Sequence, residues 1–171
     1  QGTVGLEAIE QMTEIGVSPD LVLCCCGGGG LIAGVASALK EKWPRLPIHP
    51  VEPENWDDTK SSLNSGKIKY IKNKKKSICD ALLAESPGEL TFSINKNLLS
   101  YGLSVTDEQV LEGINVAFSW LKIKAEPGGA VALTACLNNI ELVKNKNVLV
   151  IISGGNIDNN LLIKALKTKL P

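Results

Sequence analysis

The chain has 171 residues, which suits one domain of ordinary size or part of a larger one. Its 18 Lys and Arg residues balance its 18 Asp and Glu residues, so no excess of positive charge is available for binding a nucleic-acid backbone. Hydrophobic residues make up 44% of the chain, which argues against disorder, yet the longest apolar stretch, Leu31–Leu39, is too short to span a bilayer. Nucleic acids and membranes are therefore not expected partners.

The N-terminus and the cysteines indicate where the protein resides. The chain starts at Gln1, without an initiator Met and without the basic and apolar segments of a signal peptide. Three of its five cysteines, Cys24–Cys26, are consecutive, which is typical of reduced thiols rather than of a disulfide framework. The single histidine, His49, has no metal-ligating neighbours at a suitable spacing, so we expect a structural role for it. We therefore expect a cytoplasmic protein, of which this chain is a fragment or a processed product.

Helical and strand-like patterns alternate along the chain. In chain order, the predicted elements are a helix at Thr3–Ile15, a strand at Leu21–Cys26, a helix at Leu31–Lys42, a strand at Pro47–Val51, helices at Asp107–Leu121 and Gly129–Val143, a strand at Val148–Ile152 and a helix at Asn160–Lys169. The strands are short and continuously apolar, which indicates a sheet covered on both faces. This alternation predicts an α/β fold with a doubly wound, mostly parallel sheet and no second domain.

One helix start is marked by a specific signal, whereas the middle of the chain is irregular. Thr106 and Gln109 form a predicted capping box at the start of the helix Asp107–Leu121. The apolar face of that helix is predicted to carry Val110, Ile114, Phe118 and Leu121. Residues 65–91 show no clear pattern, and the lysine-rich run at 72–76 is expected to be a solvated loop.

Four consecutive glycines, Gly27–Gly30, lie between the first predicted strand and the helix that follows it. Without Cβ atoms their amides are accessible, and the helix N-terminus adds positive potential, so this loop is predicted to bind a phosphate. The glycines are contiguous, unlike those of a dinucleotide-binding G-x-G-x-x-G motif, and no Gly-Lys-Ser/Thr follows as in a P-loop. A flexible turn is the alternative, but four glycines in ordered structure carry a large entropic cost.

Two further turns follow predicted strands. Ser153–Asn156 is a second glycine turn, and its serine hydroxyl can hydrogen-bond a heteroaromatic nitrogen; a simple tight turn is the alternative. The segment Glu52–Asp58 carries four carboxylates within seven residues, which suit Mg²⁺, Mn²⁺ or Ca²⁺. Acidic residues that favour a helix N-terminus are the alternative for this segment.

Together these motifs resemble the carboxyl-terminal half of the pyridoxal-phosphate-dependent serine/threonine dehydratase family, which includes threonine ammonia-lyases and serine racemases. The segments that carry the resemblance, in order, are Gln1–Thr3, Gly27–Gly34, Glu52–Glu54, Ser86–Thr91, Glu126–Ala130 and Ser153–Asn156. The likeness covers essentially the whole chain. It implies the tryptophan-synthase-β-like fold, fold type II, with residues 1–171 forming the carboxyl-terminal part of the large cofactor-binding domain.

The resemblance implies roles for individual residues. The backbone amides of Gly27, Gly28, Gly29, Gly30 and Leu31 would hold the phosphate of pyridoxal 5'-phosphate. Ser153 would meet its pyridine nitrogen. A divalent cation would be held by Glu52, Asp58 and the carbonyl of Trp56, with Asp20 at an outer position.

The resemblance also implies what this chain lacks. The Schiff-base lysine of the family belongs to the amino-terminal half, and no lysine here lies beside the glycine loop or Ser153 in sequence, so no catalytic residue is assigned. The implied activity is β-elimination on L-threonine or L-serine, giving a 2-oxo acid and ammonia, with the fragment inactive alone. Alternatives are serine racemase activity, a non-catalytic ligand- or partner-binding module, and a cysteine or threonine synthase of the same fold. The implied partners are the amino-acid substrate, the missing half and a second subunit of a homodimer.

Overall fold

The computed structural model describes residues 1–170, so that Pro171, the last residue of the predicted domain, lies outside the described part. The helices are α1 (Gly2–Glu14), α2 (Gly30–Lys42), α3 (Asp58–Ser65), α4 (Glu89–Leu98), α5 (Asp107–Ser119), α6 (Pro127–Asn138), α7 (Ile140–Val143) and α8 (Asn159–Ala165), with a short 3-10 helix at Asp80–Leu82. The strands are β1 (Leu21–Cys25), β2 (Ile48–Pro53), β3 (Leu103–Val105) and β4 (Val148–Ile151).

The four strands form one parallel sheet in the order β3-β2-β1-β4. In the register, Cys25 lies opposite Val51 of β2, and Cys24 lies opposite Ile151 of β4. Because the strands are parallel, the turns that follow β1, β2 and β4 lie at the same edge of the sheet. This edge, the carboxyl edge, brings the glycine loop, the acidic turn and Ser153 to one side of the molecule.

Two apolar cores lie on opposite faces of the sheet. Alternate residues of β1 point to opposite faces: Leu21, Leu23 and Cys25 join one core, and Val22, Cys24 and Cys26 join the other. The first core contains residues of α5, α6 and α8, and the second contains residues of α2. The predicted α/β fold with a mostly parallel sheet covered on both faces is therefore confirmed.

Several predicted elements are confirmed, and their bounds change by a few residues. Thr106 and Gln109 make both hydrogen bonds of the predicted capping box at the start of α5. All five cysteines are free thiols, and His49 is buried against Tyr101, with a ring nitrogen 2.9 Å from the Tyr101 carbonyl oxygen.

Other predictions about the elements are wrong. Val110 and Ile114 are buried as predicted, but Phe118 and Leu121 are 40% and 47% exposed, because the buried face of α5 continues through Ala117 and the helix ends at Ser119. The helix predicted at Gly129–Val143 begins earlier, at Pro127, and is interrupted at Asn139, whose backbone is not helical. Strand β3 and helix α4 were not predicted. Within residues 1–170, no helix combines the length and the apolar character needed to cross a membrane.

Candidate cofactor-binding site

The glycine loop turns sharply between β1 and α2. Gly29 is the N-cap of α2 and has a φ of 87°, a backbone conformation that glycine adopts without strain. A Cβ atom at Gly28 or Gly30 would meet no atom within 4 Å, so both residues border open space. Within residues 1–170, no hydrogen bond uses the amides of residues 27–31 as donors. The loop therefore offers unpaired donors at a helix N-terminus, as an anion site requires.

Helix α4 and its N-cap residue bind the carbonyl groups of this loop. The Thr91 hydroxyl donates to the carbonyl of Gly28 at 2.6 Å, and the amide of Gly88 donates to the same carbonyl at 3.3 Å. The side-chain amide of Asn95, which is fully buried, donates to the carbonyl of Gly29 at 3.2 Å. Because the N–H of a peptide plane points opposite to its C=O, fixing these carbonyls toward α4 turns the following amides away from it, toward the open space.

Thr91 and Asn95 were missed as site residues in the sequence. The contacts join residues 63 and 66 positions apart, which no local pattern reveals. A signal was nevertheless present: the buried side chains of α4 are Phe92 and Asn95, so a polar residue lies on the apolar face of a short helix. A polar residue in that position indicates a specific buried partner.

Ser153 follows β4 and lies at the same edge of the sheet as the glycine loop. Its hydroxyl oxygen is 3.2 Å from the sulfur of Cys25, the last residue of β1. The loop that carries it is held by Glu126, whose amide donates to the Gly154 carbonyl at 3.0 Å and whose carboxylate accepts from the Asn156 amide at 3.1 Å. A Cβ at Gly154 would meet the Glu126 carboxylate, so a larger residue here would displace that side chain from the loop. The predicted motifs Glu126–Ala130 and Ser153–Asn156 thus pack against each other.

Glu52 lies near the end of β2 and is fully buried. Its two carboxylate oxygens accept from the amides of Thr59 and Lys60, each at 2.8 Å, at the N-terminus of α3. Burial and the neighbouring Asp58 raise the pKa of Glu52 to about 8, against these amide donors, which lower it. Glu52 therefore fixes the start of α3 to the sheet.

Asp58, the first residue of α3, is 1% exposed, and neither of its carboxylate oxygens has a hydrogen-bond partner. Burial raises the pKa of Asp58 to about 7. A buried carboxylate without a partner is costly, and a bound cation removes that cost. The unpartnered Asp58 carboxylate fits the predicted cation set of Glu52, Asp58 and the Trp56 carbonyl, and that set stays a prediction. Within residues 1–170, no group of three or more His, Cys, Asp or Glu side chains is placed to hold a metal ion, so a site here needs the carbonyl.

Asp20 does not belong to this site. It precedes β1, so it lies at the opposite edge of the sheet from Glu52. Its carboxylate accepts from the amide of Asn147 at 2.7 Å and thereby joins the starts of β1 and β4. The prediction that Asp20 occupies an outer position around the cation is therefore wrong, and its role is structural.

Two lysines, Lys40 and Lys124, can be placed relative to the predicted cofactor site. Lys40 donates to the carbonyl of Pro44 at 3.2 Å, at the end of α2 remote from the loop. Lys124 lies closer to the Ser153–Asn156 turn than its position in the sequence indicates, because a Cβ at Gly155 would lie 2.6 Å from the Lys124 carbonyl oxygen. The Lys124 side chain is exposed. The prediction that no lysine of this chain serves the cofactor remains a prediction.

Comparison with known proteins identifies the family. The family model described as "Pyridoxal-phosphate dependent enzyme" matches residues 1–154. The L-threonine ammonia-lyase of Thermotoga maritima is 34% identical over 170 residues, which are 99% of this chain and 41% of that protein. The serine racemase of Arabidopsis thaliana is 35% identical over 173 residues, which cover 98% of this chain and 50% of that protein.

The fold agrees with the sequence comparison. The crystal structure of a threonine deaminase from T.th. matches with a TM-score of 0.88 and 38% identity, over 92% of this chain and 52% of that one. The chain thus spans about half the length of these relatives. Its α/β fold is that of the fold type II enzymes, as expected from the resemblance, and its cofactor is pyridoxal 5'-phosphate. The chain belongs to the family of pyridoxal-phosphate-dependent enzymes that contains the threonine dehydratases and serine racemases.

Proposed function

We propose that the protein to which this chain belongs converts L-threonine to 2-oxobutanoate and ammonia, or L-serine to pyruvate and ammonia, by β-elimination of water. In this proposal, residues 1–171 form the carboxyl-terminal part of the large cofactor-binding domain. The lysine that attaches the cofactor lies in the other half of the protein. The similarity to a threonine ammonia-lyase along nearly the whole chain supports this assignment.

The observation that carries the proposal is the position of a neutral hydroxyl and a row of free amides at one edge of the sheet. The amides of residues 27–31 would bind the cofactor phosphate, helped by the positive end of α2. When bound, pyridoxal phosphate accepts the electron pair that a proton leaves behind at the substrate Cα. Ser153 would meet the pyridine nitrogen, and a hydroxyl, unlike a carboxylate, does not keep that nitrogen protonated. By leaving that nitrogen unprotonated, Ser153 would make the cofactor a milder electron sink, which suits elimination of the β-hydroxyl group.

The proposal includes a structural cation beside this site. Glu52, Asp58 and the carbonyl of Trp56 would hold Mg²⁺, Mn²⁺ or Ca²⁺, supported by the unpartnered Asp58 carboxylate. The cation would neutralise two buried carboxylates and secure the start of α3 near the carboxyl edge. The proposal also includes a homodimer and a cytoplasmic location, the latter because five free thiols are typical of a reducing compartment.

Racemisation of serine is the second candidate, because it starts with the same proton removal at Cα and because a serine racemase is 35% identical along the chain. The full-length protein, supplied with pyridoxal phosphate, should be assayed for 2-oxo acid and ammonia, and for D-serine by chiral chromatography. We expect 2-oxo acid as the main product. D-serine without 2-oxo acid would replace the lyase with a racemase, and cofactor binding without either product would indicate a non-catalytic module.

A substitution at Ser153 tests the residue that carries the proposal. Ser153→Ala should lower kcat for elimination, because the ring nitrogen loses its partner. Ser93→Ala is a matched control, since the Ser93 hydroxyl is exposed and donates only to a carbonyl within α4. Equal kcat in the Ser153→Ala variant and the wild type would show that Ser153 does not contact the ring.

A further inference from the structure

Ser153 has one hydrogen-bond partner in the described part of the chain, and that partner is a cysteine. The Cys25 sulfur and the Ser153 hydroxyl oxygen lie 3.2 Å apart, and either atom can donate. The two residues are 128 positions apart and meet because β1 and β4 are neighbours in the sheet. Cys25 itself is 4% exposed, so the contact is shielded from water on the cysteine side.

The direction of the Cys25 side chain distinguishes it from the other two consecutive cysteines. Cys24 and Cys26 point to the core beneath α2, whereas Cys25 points to the core on the other face of the sheet. Cys26 donates to the Gly27 carbonyl and contacts the hydroxyl of Thr59, so it connects the glycine loop to α3. Of the three cysteines, Cys25 is the one that contacts Ser153.

We propose that Cys25 is a positioning residue that orients the Ser153 hydroxyl toward the pyridine nitrogen of the cofactor. This inference rests on the proposed function, which places Ser153 at that nitrogen. A serine hydroxyl has one hydrogen and two lone pairs, and it rotates freely unless one of these is engaged. The thiol engages one of them and leaves the others for the ligand. Because a thiol both donates and accepts, it supports Ser153 whether the hydroxyl donates to the nitrogen or accepts from it.

The electrostatic surroundings of Cys25 provide a readout of this contact that needs no cofactor. The neighbouring Cys24 and the hydrogen bond with Ser153 lower the pKa of the Cys25 thiol, whereas burial and the nearby Glu126 carboxylate raise it. Burial is the main cause that raises the pKa values of Cys26, Cys79 and Cys136, and the neighbouring Cys25 together with burial raises that of Cys24. Of these five thiols, Cys25 is the one whose pKa is lowered, and its contact with Ser153 is one of the causes, so its titration reports on that contact.

The first test titrates the thiol in the cofactor-free, full-length protein. Thiolate formation is followed by ultraviolet absorbance, and the Cys25→Ala variant is subtracted to remove the signal of other cysteines. In the Ser153→Ala variant the pKa of Cys25 should rise, because the hydroxyl no longer stabilises the thiolate. An unchanged thiol pKa would show that the two side chains are not coupled and would overturn the inference.

The second test adds pyridoxal phosphate and compares Cys25→Ala with Cys25→Ser. Loss of the oriented hydroxyl in Cys25→Ala should weaken cofactor affinity by about three- to tenfold and shift the visible absorption spectrum of the bound cofactor. Cys25→Ser keeps a side chain that can hydrogen-bond Ser153, so it should restore the spectrum. Cys24→Ala creates a cavity on the same strand but on the opposite face, and should leave the spectrum unchanged.

The two tests separate this inference from the proposed function. The positioning role is overturned if the bound cofactor has the wild-type absorption spectrum in Cys25→Ala. It is also overturned if the spectrum of Cys25→Ser is no closer to the wild-type spectrum than that of Cys25→Ala. Both results would stand even if the enzyme is a lyase. Coupling of the two residues in cofactor-free protein, together with rescue by serine, would support it whichever product the wild-type enzyme forms.

Discussion

Gly28, Gly29 and Gly30 differ in what a side chain would meet at each position. At Gly29 a Cβ would lie 2.8 Å from the side-chain amide of Asn95, on a backbone with positive φ, so substitution there disturbs the packing of α4. At Gly28 and Gly30 a Cβ would enter open space. Substitution at Gly28 therefore fills the predicted phosphate cradle without a clash in the fold, which makes it the cleaner test.

Gly28→Val should abolish retention of pyridoxal phosphate by the full-length protein. Loss of two hydrogen bonds to an anion, at about 1.5 kcal/mol each, corresponds to roughly a hundredfold weaker binding. Affinity is measured by titrating cofactor-free protein with pyridoxal phosphate and following its absorbance. Gly28→Ala, with a smaller side chain, should have an intermediate affinity. Wild-type affinity in Gly28→Val would mean that the phosphate binds elsewhere.

His49 contributes to stability as a neutral side chain. Burial lowers its pKa from 6.5, while the Tyr101 carbonyl raises it and the charge of Lys146 lowers it. With the folded-state pKa below the unfolded value, the unfolded chain takes up the proton first as the pH falls. The stability contributed by neutral His49 is therefore complete above about pH 6.5 and is lost progressively below it.

Denaturant unfolding at several pH values tests this expectation. The wild type should lose stability relative to His49→Gln as the pH falls below 6.5, since glutamine can hydrogen-bond the Tyr101 carbonyl without titrating. Parallel curves for the two proteins would contradict a buried neutral histidine.

At the scale of elements, α4 acts as a clamp on the glycine loop. Thr91→Val removes a hydroxyl that donates to the carbonyls of Gly28 and Gly88 while it keeps the shape of the side chain. We expect a loss of about 0.5–1.5 kcal/mol in unfolding free energy and weaker cofactor binding, because the loop amides are no longer held in one direction. Ser93→Ala, on the exposed side of the same helix, should change neither quantity. Weakened stability with unchanged cofactor affinity would show that the clamp does not serve the ligand.

Helix α3 carries the test of the predicted cation. A chelator should lower the melting temperature of the wild type by about 5 °C or more, and Mg²⁺, Mn²⁺ or Ca²⁺ should restore it, if free cation normally exceeds its Kd by about a hundredfold. Asp58→Asn should remove this response. Asp57→Asn should retain it, because Asp57 is paired instead with Lys60 at 3.4 Å. A wild-type melting temperature indifferent to chelator and cation would leave Asp58 as a protonated buried carboxyl group.

The elements predicted from sequence are those whose signals are local. The capping box of Thr106 and the continuously apolar run of β1 each specify structure through neighbours a few positions away. Strand β3 has only three residues, and the N-cap of α4 is Gly88, which offers no side-chain cap, so neither gives a local signal. The break at Asn139 has no proline or glycine to mark it.

In the site too, the residues with local sequence signals were predicted and those that depend on long-range contacts were not. The glycine loop and Ser153 were predicted because strand ends of a parallel sheet meet at one edge. Their partners Thr91, Asn95 and Cys25 were not, because those contacts depend on how α4 docks and on which strands are neighbours. Asp20 precedes β1 and therefore lies at the opposite edge of the sheet from Glu52, which the family resemblance alone does not reveal.

At the scale of the whole molecule, no lysine of this chain is predicted to attach the cofactor at the carboxyl edge of the sheet. We expect the isolated 171-residue chain to show no dehydratase activity with L-serine or L-threonine. Borohydride reduction in the presence of pyridoxal phosphate should label no single lysine. Lys124, whose backbone passes beside the Ser153 loop, is the residue to examine first by peptide mapping. Turnover with specific labelling of one lysine would refute the assignment of that lysine to the other half.

The strand order has a practical consequence for handling the isolated chain. Within residues 1–170, β4 is hydrogen-bonded to β1 alone, so its other side presents unpaired backbone groups along an apolar, half-buried strand. An open edge of this kind is a template for strand addition by any neighbouring chain. Dilute solution and refolding at low protein concentration therefore favour monomeric material, and turbidity during concentration would report edge-to-edge association rather than loss of the fold.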